Sequence, residues 1–272
     1  MNKKSKNTSA VIAVAVAAFI ILSIIIILVA GTGKKKEPVL KTSPEKTAIP
    51  QVSLAPDVGG APAAGFEAFF SASRVYPATD TDLQQLLPLS LENGIQIESY
   101  GFYNGVYVES GSMEMAYNII AIKVKNTGST VLNSTKITIP HSGGEASFIV
   151  KALPKDESVI VLEANASDFS GKPDLSSAKA EEVSYYKENE IIKLSNFEIH
   201  TKDGEITVKN TSGSDITGKI SIHFKYLFTD MLLGGADFSL EIENGLKDGE
   251  KKIFPVSAYI NSACRITFIS QN

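Results

Sequence analysis

One stretch of this chain is written twice, and the repeat limits what the chain can fold into. Ala121-Ile122-Lys123-Val124-Lys125-Asn126-Thr127-Gly128 returns as Glu205-Ile206-Thr207-Val208-Lys209-Asn210-Thr211-Ser212-Gly213. Each copy runs on through a polar turn into a second alternating stretch, Lys136–Ile139 and Lys219–Ile222. Each then reaches an acidic turn opened by leucine, Leu153-Pro154-Lys155-Asp156-Glu157 and Leu246-Lys247-Asp248-Gly249-Glu250. The copies lie 84 residues apart at the first motif and 93 at the second, so the second copy carries the longer insertions.

The residues inside each copy alternate with a period of two: Ile95-Gln96-Ile97-Glu98, Ile137-Thr138-Ile139, Ile206-Thr207-Val208 and Ile220-Ser221-Ile222. Short β-branched runs punctuated by Gly, Asn, Asp and Ser specify antiparallel strands. A unit of roughly 80–100 residues has the size of one immunoglobulin-like sandwich and is too long for a solenoid repeat. The sequence therefore predicts a mostly β fold with two tandem immunoglobulin-like antiparallel β-sandwich domains, residues 66–175 and 176–272. The Asn-Thr-Gly at the strand ends supplies tight-turn geometry. A short helical segment opens the first domain, because Phe66, Phe69, Phe70 and Ser73 share a helical face. A second helical turn is predicted over Thr81–Leu87, capped by Asp80 or Thr79 and stopped by Pro88. A cap explains the pair Asp80 and Asp82 better than calcium, since no acidic ligand follows at loop spacing.

Ahead of the repeats, Ala10 to Ala30 is a run of 21 residues with no charge, and Ser23 is its one polar side chain. A helix of that length spans about 30 Å, the thickness of a bilayer's hydrocarbon core. Its many β-branched residues matter little in lipid, where the helix is the one way for the segment to satisfy its own backbone. A cleavable signal peptide has a shorter apolar region and a small-residue cleavage site, and no cysteine follows for lipid attachment. The run is expected to be an uncleaved anchor that enters the lipid bilayer through residues 10–30, behind a basic tail of residues 1–9. Residues 31–65 form a proline-rich, disordered linker: Pro38, Pro44, Pro50, Pro56 and Pro62 recur every six residues and stop helix and sheet alike.

Residues 1–46 carry eight lysines against Glu37 and Glu45, and the other 226 residues hold 18 basic and 28 acidic side chains. The acidic remainder repels phosphate backbones, so no nucleic acid is expected as a partner. Orientation follows from two competing signals. Lys34, Lys35, Lys36 and Lys41 behind the anchor pull toward a cytoplasmic ectodomain by the positive-inside rule. A short basic tail (Lys3, Lys4 and Lys6) before an apolar run is how a signal anchor begins, and it sets the expectation of an extracytoplasmic ectodomain on the plasma membrane. Cys264 is the single cysteine, which rules out an intramolecular disulfide and a cysteine-built zinc site. It is expected to be a small buried residue of the last strand.

No pattern carries chemistry. His141, His200 and His223 lack metal-ligand spacing, no serine sits in a Gly-x-Ser-x-Gly elbow, and the paired glycines precede no phosphate-binding helix. No catalytic residue, metal or cofactor is expected. Two segments are candidate contact surfaces. Aromatic residues interleave with glycine at Tyr100, Phe102, Tyr103 and Tyr107, as in a carbohydrate or peptide platform, although packed rings of a hairpin have the same pattern. The second, Phe224 to Gly235, is unusually apolar for a connection and contributes Tyr226, Phe228, Met231, Leu232 and Leu233. It is either an exposed interface or a buried strand.

The strand ending Val208-Lys209-Asn210-Thr211, the stretch from Lys225-Tyr226 to Leu233-Gly234-Gly235, the turn Gly245 to Glu250 and Arg265-Ile266-Thr267-Phe268 together resemble membrane-anchored proteins of Gram-positive bacteria with FxLYD-like, immunoglobulin-like domains. The resemblance covers mainly residues 180–272. It implies an envelope location and a sandwich fold, and brings no catalytic residues with it. The expected function is that of a non-enzymatic, single-pass envelope protein presenting its domains to a protein or a cell-wall polymer. An accessory subunit of a membrane assembly is the alternative, and reversed topology would make the chain a cytoplasm-facing scaffold.

Overall fold

Alternating runs become strands when one face has a core to cover, and both copies of the repeat do so. The computed structural model describes residues 73–111, 114–167 and 171–271. The run Ala10–Ala30, the proline-rich linker and the helical face at Phe66, Phe69 and Phe70 lie outside them. Among the described residues, no helix is long and apolar enough to cross a membrane. The first copy contains β1 (Arg74–Pro77), α1 (Thr81–Gln85), β2 (Leu89–Leu91), β3 (Ile95–Val106), β4 (Met115–Asn126), β5 (Leu132–His141), β6 (Gly144–Leu153), β7 (Ser158–Leu162) and β8 (Lys179–Tyr185). The second contains β9 (Ile191–Ile192), β10 (Phe197–Lys202), β11 (Glu205–Asn210), β12 (Ile220–Phe228), β13 (Met231–Ile242), β14 (Lys251–Pro255) and β15 (Cys264–Gln271).

The chain is mostly β, and within each copy the paired strands are antiparallel. In the first, β3-β4-β7 faces the sheet β6-β5-β8; in the second, β10-β11-β14 faces β13-β12-β15. The two copies have the same strand order. Strand β8 lies beyond the expected boundary at 175/176 and pairs with β5, so the first copy's sheet runs on to Tyr185. Helix α1 begins where Asp80 accepts hydrogen bonds from the amides of Asp82 at 2.9 Å and Leu83 at 3.2 Å, and the Lys172 ammonium bridges Asp80 and Asp82, at 3.2 Å from each carboxylate.

The repeated asparagine closes the same knot in each copy. Asn126 is fully buried, and its side-chain amide donates to the carbonyls of Thr130 and Leu153, each at 2.9 Å. Its oxygen accepts from the Gly128 amide at 2.9 Å. Asn210, also fully buried, donates to Ser214 at 2.8 Å and Leu246 at 3.0 Å and accepts from Ser212 at 2.9 Å. One side chain thus ties the strand-end turn to the leucine that opens the acidic turn. That is why the two motifs recur together.

The copies are joined by more than their connector. β7 of the first pairs in parallel with β13 of the second, Leu232 opposite Val159 and Leu233 opposite Ile160. The sheets thereby merge into one of nine strands, β1-β3-β4-β7-β13-β12-β15-β9 with β2 beside β3, and both copies belong to one compact unit. Seven consecutive residues of β12, Ile220–Tyr226, are buried. Its sequence still alternates, so one covered face is apolar (Ile220, Ile222, Phe224, Tyr226) and the other carries the buried polar residues Ser221, His223 and Lys225.

Candidate functional site: the joint between the copies

Each copy contributes an arm where its insertion is longest. The β3–β4 hairpin of the first copy is far longer than its counterpart β10–β11, and the β12–β13 hairpin outreaches β5–β6. The arms clasp. Tyr103, Val106, Tyr107 and Val108 from the first arm enter the core cluster that holds Phe224, Phe238 and Ile269 of the second copy. Leu232 and the half-buried Leu227 from the second arm enter the cluster built on Ile97, Ile122 and Phe148 of the first.

These arms are the two segments that composition marked as contact surfaces. Tyr100, Tyr103, Tyr107, Tyr226, Leu232 and Leu233 are buried, and Phe102, Phe228 and Met231 are half-buried. The rings of Tyr103 and Phe228 meet edge to face across the joint at 6.2 Å. Tyr103 donates to the Val106 carbonyl at 3.0 Å and lies 3.1 Å from the Ser73 hydroxyl; Tyr226 donates to the Ala258 carbonyl at 3.0 Å. Burial pushes the Tyr103 and Tyr107 phenols up to about 12. Tyr100 lies in the first copy's own core, its hydroxyl 3.3 Å from His141. The segments bind, but what they bind is chiefly each other.

A polar seam runs through the joint. Phe224 pairs with Phe238 but Tyr226 with Leu233, so Gly234–Asp237 loop out opposite the single residue Lys225. The buried Lys225 ammonium fills the bulge and donates to the carbonyls of Gly234 at 3.2 Å and Ala236 at 2.7 Å. From the other side the Glu109 carboxylate accepts from the amides of Gly235 at 2.9 Å, Ala236 at 3.1 Å and Leu162 at 2.9 Å. One charged group satisfies the bulge's carbonyls, and one from the other copy satisfies its amides. Burial pushes the Glu109 carboxyl up, against the amides that bind it. It brings Lys225 down to about 8, against the attraction of Asp237 and Glu109. Gly235 has to be glycine, because a Cβ there would overlap the Ile149 carbonyl of β6.

Beside the bulge, Asp237, His223 and Ser270 form a hydrogen-bonded row. His223 Nδ1 lies 2.9 Å from the Asp237 carboxylate, and Nε2 lies 2.9 Å from Ser270 Oγ. Burial raises the Asp237 carboxyl, but the hydrogen bond and charge of His223 and the charges of Lys225 and Lys151 outweigh it and hold the group below its ordinary value. A carboxylate only accepts, so Nδ1 carries the proton toward it. Phe268 stacks on the imidazole at 4.1 Å, and Tyr186, from the connector between the copies, meets the His223 ring edge-on at 5.9 Å.

Acid, imidazole and hydroxyl in this order make up the relay that activates a serine nucleophile. Here Ser270 is only 1% exposed, and a scissile carbonyl would have to come within about 3 Å of its oxygen. Tyr186 and Phe268 cover the imidazole, and the row ties β12 to β13 and β15. Among the described residues, no group of three or more His, Cys, Asp and Glu is placed to hold a metal ion. Cys264 is buried, and burial pushes its thiol up to about 12.

No sequence motif singles out Glu109, Lys225, Asp237 or Ser270, and His223 is marked only by its lack of metal-ligand spacing. Lys225 shares a face of β12 with Ser221 and His223, an alternation that reads as a strand with one face in solvent; the fold buries that face instead and supplies its partners. Comparison with family models, with curated proteins and with solved structures gives no match.

Proposed function

We propose that this chain is a non-enzymatic, membrane-anchored envelope protein that displays two fused immunoglobulin-like sandwiches on a proline-rich stalk for binding a protein or a cell-wall polymer. The observation that carries the reading is the uncharged 21-residue run Ala10–Ala30, followed by a proline every six residues through Pro62. An apolar run of that length matches the bilayer core, and a proline-spaced stalk keeps the domains beyond it at a distance from the membrane. The clasped arms support the display role. Two sandwiches locked by buried apolar contacts and a polar seam present their outer surfaces in one constant arrangement, as a module engaging a partner at two points requires. The strand order β3-β4-β7 against β6-β5-β8, repeated in the second copy, supports the immunoglobulin-like assignment.

The test is protease treatment of intact cells carrying a C-terminal epitope on this chain. Loss of the epitope, with a cytoplasmic control intact, is the expected result. Protection until lysis would turn the chain inward, as Lys34, Lys35, Lys36 and Lys41 favour by the positive-inside rule, and make it a cytoplasm-facing scaffold.

A further inference from the structure

The two copies differ at one edge, and the difference leaves a groove. Each first strand, β3 or β10, is preceded by a 3-10 turn, Glu92–Gly94 or Leu194–Asn196, and each turn by a short extended segment, β2 or β9. In the second copy that segment closes the sheet. Ile191 and Ile192 of β9 pair antiparallel with Ser270 and Ile269 on the outer edge of β15. In the first copy β2 folds back on β3 instead, Leu89 opposite Ile97 and Leu91 opposite Ile95. The counterpart of β15 is β8, which among the described strands pairs only with β5.

Between β2 and β8 lies an open groove of about 380 Å³, lined by Leu89, Leu91, Leu175, Ala178 and Ala180, with Glu92, Glu181 and Lys179 as its charged residues. Its position follows from the repeat. Ile137 pairs with Ala180 as its counterpart Ile220 pairs with Gln271, so Ala178 and Lys179 stand where Ile269 and Ser270 receive β9. β8 is an edge strand paired on one side only, beside a partly apolar groove, which is the setting strand addition uses; the Ala178 amide just ahead of it is already donated to the Leu175 carbonyl at 3.2 Å.

We propose that the outer edge of β8 is a strand-addition site for an extended polypeptide segment of the kind the second copy supplies to itself: adjacent branched apolar residues followed by a lysine, as in Ile191-Ile192-Lys193. The apolar pair covers the leucine and alanine floor, and the lysine meets Glu92 or Glu181. This deepens the binding-module reading and rests on it for its biological sense, while the groove itself belongs to the described sheets on whichever side of the membrane they lie.

The experiment titrates the full-length chain in detergent micelles with a fluorescent peptide of the sequence Lys187–Asn196, beside a control peptide with serine in place of both isoleucines. The expected result is saturable binding of the first peptide only, with slowed amide exchange at Lys179–Glu181 and affinity at least tenfold weaker in Ser90→Trp, which fills the groove from an exposed position. Ala180→Arg is the second blocking variant, and Ser90→Trp keeps the test valid should Ala180→Arg fail to fold. Three results would each overturn the proposal: no saturable binding at millimolar peptide, binding unchanged by Ser90→Trp, or binding that leaves β8 exchange as it was. Failure here with a protease-accessible epitope removes the groove and keeps the module; peptide binding with a protected epitope does the reverse.

Discussion

Asn126 and Asn210 tie the same knot in each copy. Each satisfies two backbone carbonyls and one amide while fully buried. Truncation strands the buried Leu153 or Leu246 carbonyl without water, at roughly 1–3 kcal/mol, and releases the half-buried turn held by the other two bonds. Asn126→Ala or Asn210→Ala is therefore expected to lower unfolding free energy by about 2–4 kcal/mol, read from urea denaturation; a loss below ~1 kcal/mol would mean the knot is not what recurs. Lys225 acts through protons. Its ordinary value is 10.5 and its folded value about 8, so between those values the unfolded chain binds a proton that the folded chain does not. Stability due to Lys225 then rises with pH across that window and is lowest below it. Other groups titrate in the same range: burial pushes Cys264 and Tyr186 up to about 12 and works in the opposite direction. The difference between the parent and Lys225→Met isolates the lysine. The parent is expected to gain on the variant from about pH 8 to pH 10, and parallel stability curves would refute the assignment.

At the scale of elements, the bulge in β13 lets a hairpin serve both copies. Leu232 and Leu233 pair with β7 on one side and with Leu227 and Tyr226 of β12 on the other, and Gly234–Asp237 absorb the register shift before pairing with β12 resumes at Phe238. Gly235→Ala puts a methyl group against the Ile149 carbonyl, which a packed joint resolves by separating its strands. The expected cost is about 2–3 kcal/mol, with faster amide exchange in β7 and β13 than in β4 and β5; unchanged exchange across β7 would show that the joint yields without opening. The arms themselves were half legible. Composition marked Tyr100–Tyr107 and Phe224–Gly235 as unusual because aromatic and apolar residues crowd there. It did not say what each would cover, since a buried strand and an exposed patch are written with the same residues until the neighbouring sheet is placed.

For the whole molecule, the clasp makes two repeats one folding unit. Tyr103, Val106, Tyr107, Val108, Leu232 and Leu233 are buried at the joint, and each large apolar side chain contributes roughly 1.5–3 kcal/mol. Together that is on the order of the net stability of an ordinary domain, ~5–15 kcal/mol. Calorimetry is expected to give one transition with matching calorimetric and van 't Hoff enthalpies, whereas two resolved transitions would mean that the copies unfold independently. A fragment of residues 186–272 is expected to be destabilised and prone to aggregate, because it exposes β13 as an apolar edge.

The sequence by itself determined the local geometry: alternation set the strands, Asn-Thr-Gly and the acidic turns set their ends, Asp80 set the start of α1, and self-similarity set two copies of one strand order. Those signals are local because backbone sterics and side-chain period act over a few residues. Only the tertiary structure decided that the copies fuse through β7 and β13, that Glu109 and Lys225 satisfy the two sides of one bulge, and that Asp237, His223 and Ser270 line up. Hydrogen bonds such as the one joining Glu109 to Gly235 link residues 126 positions apart. Nothing in either residue's neighbourhood along the chain encodes its partner; what selects the pair is the cost of leaving a charge and a bulge's backbone buried and unsatisfied.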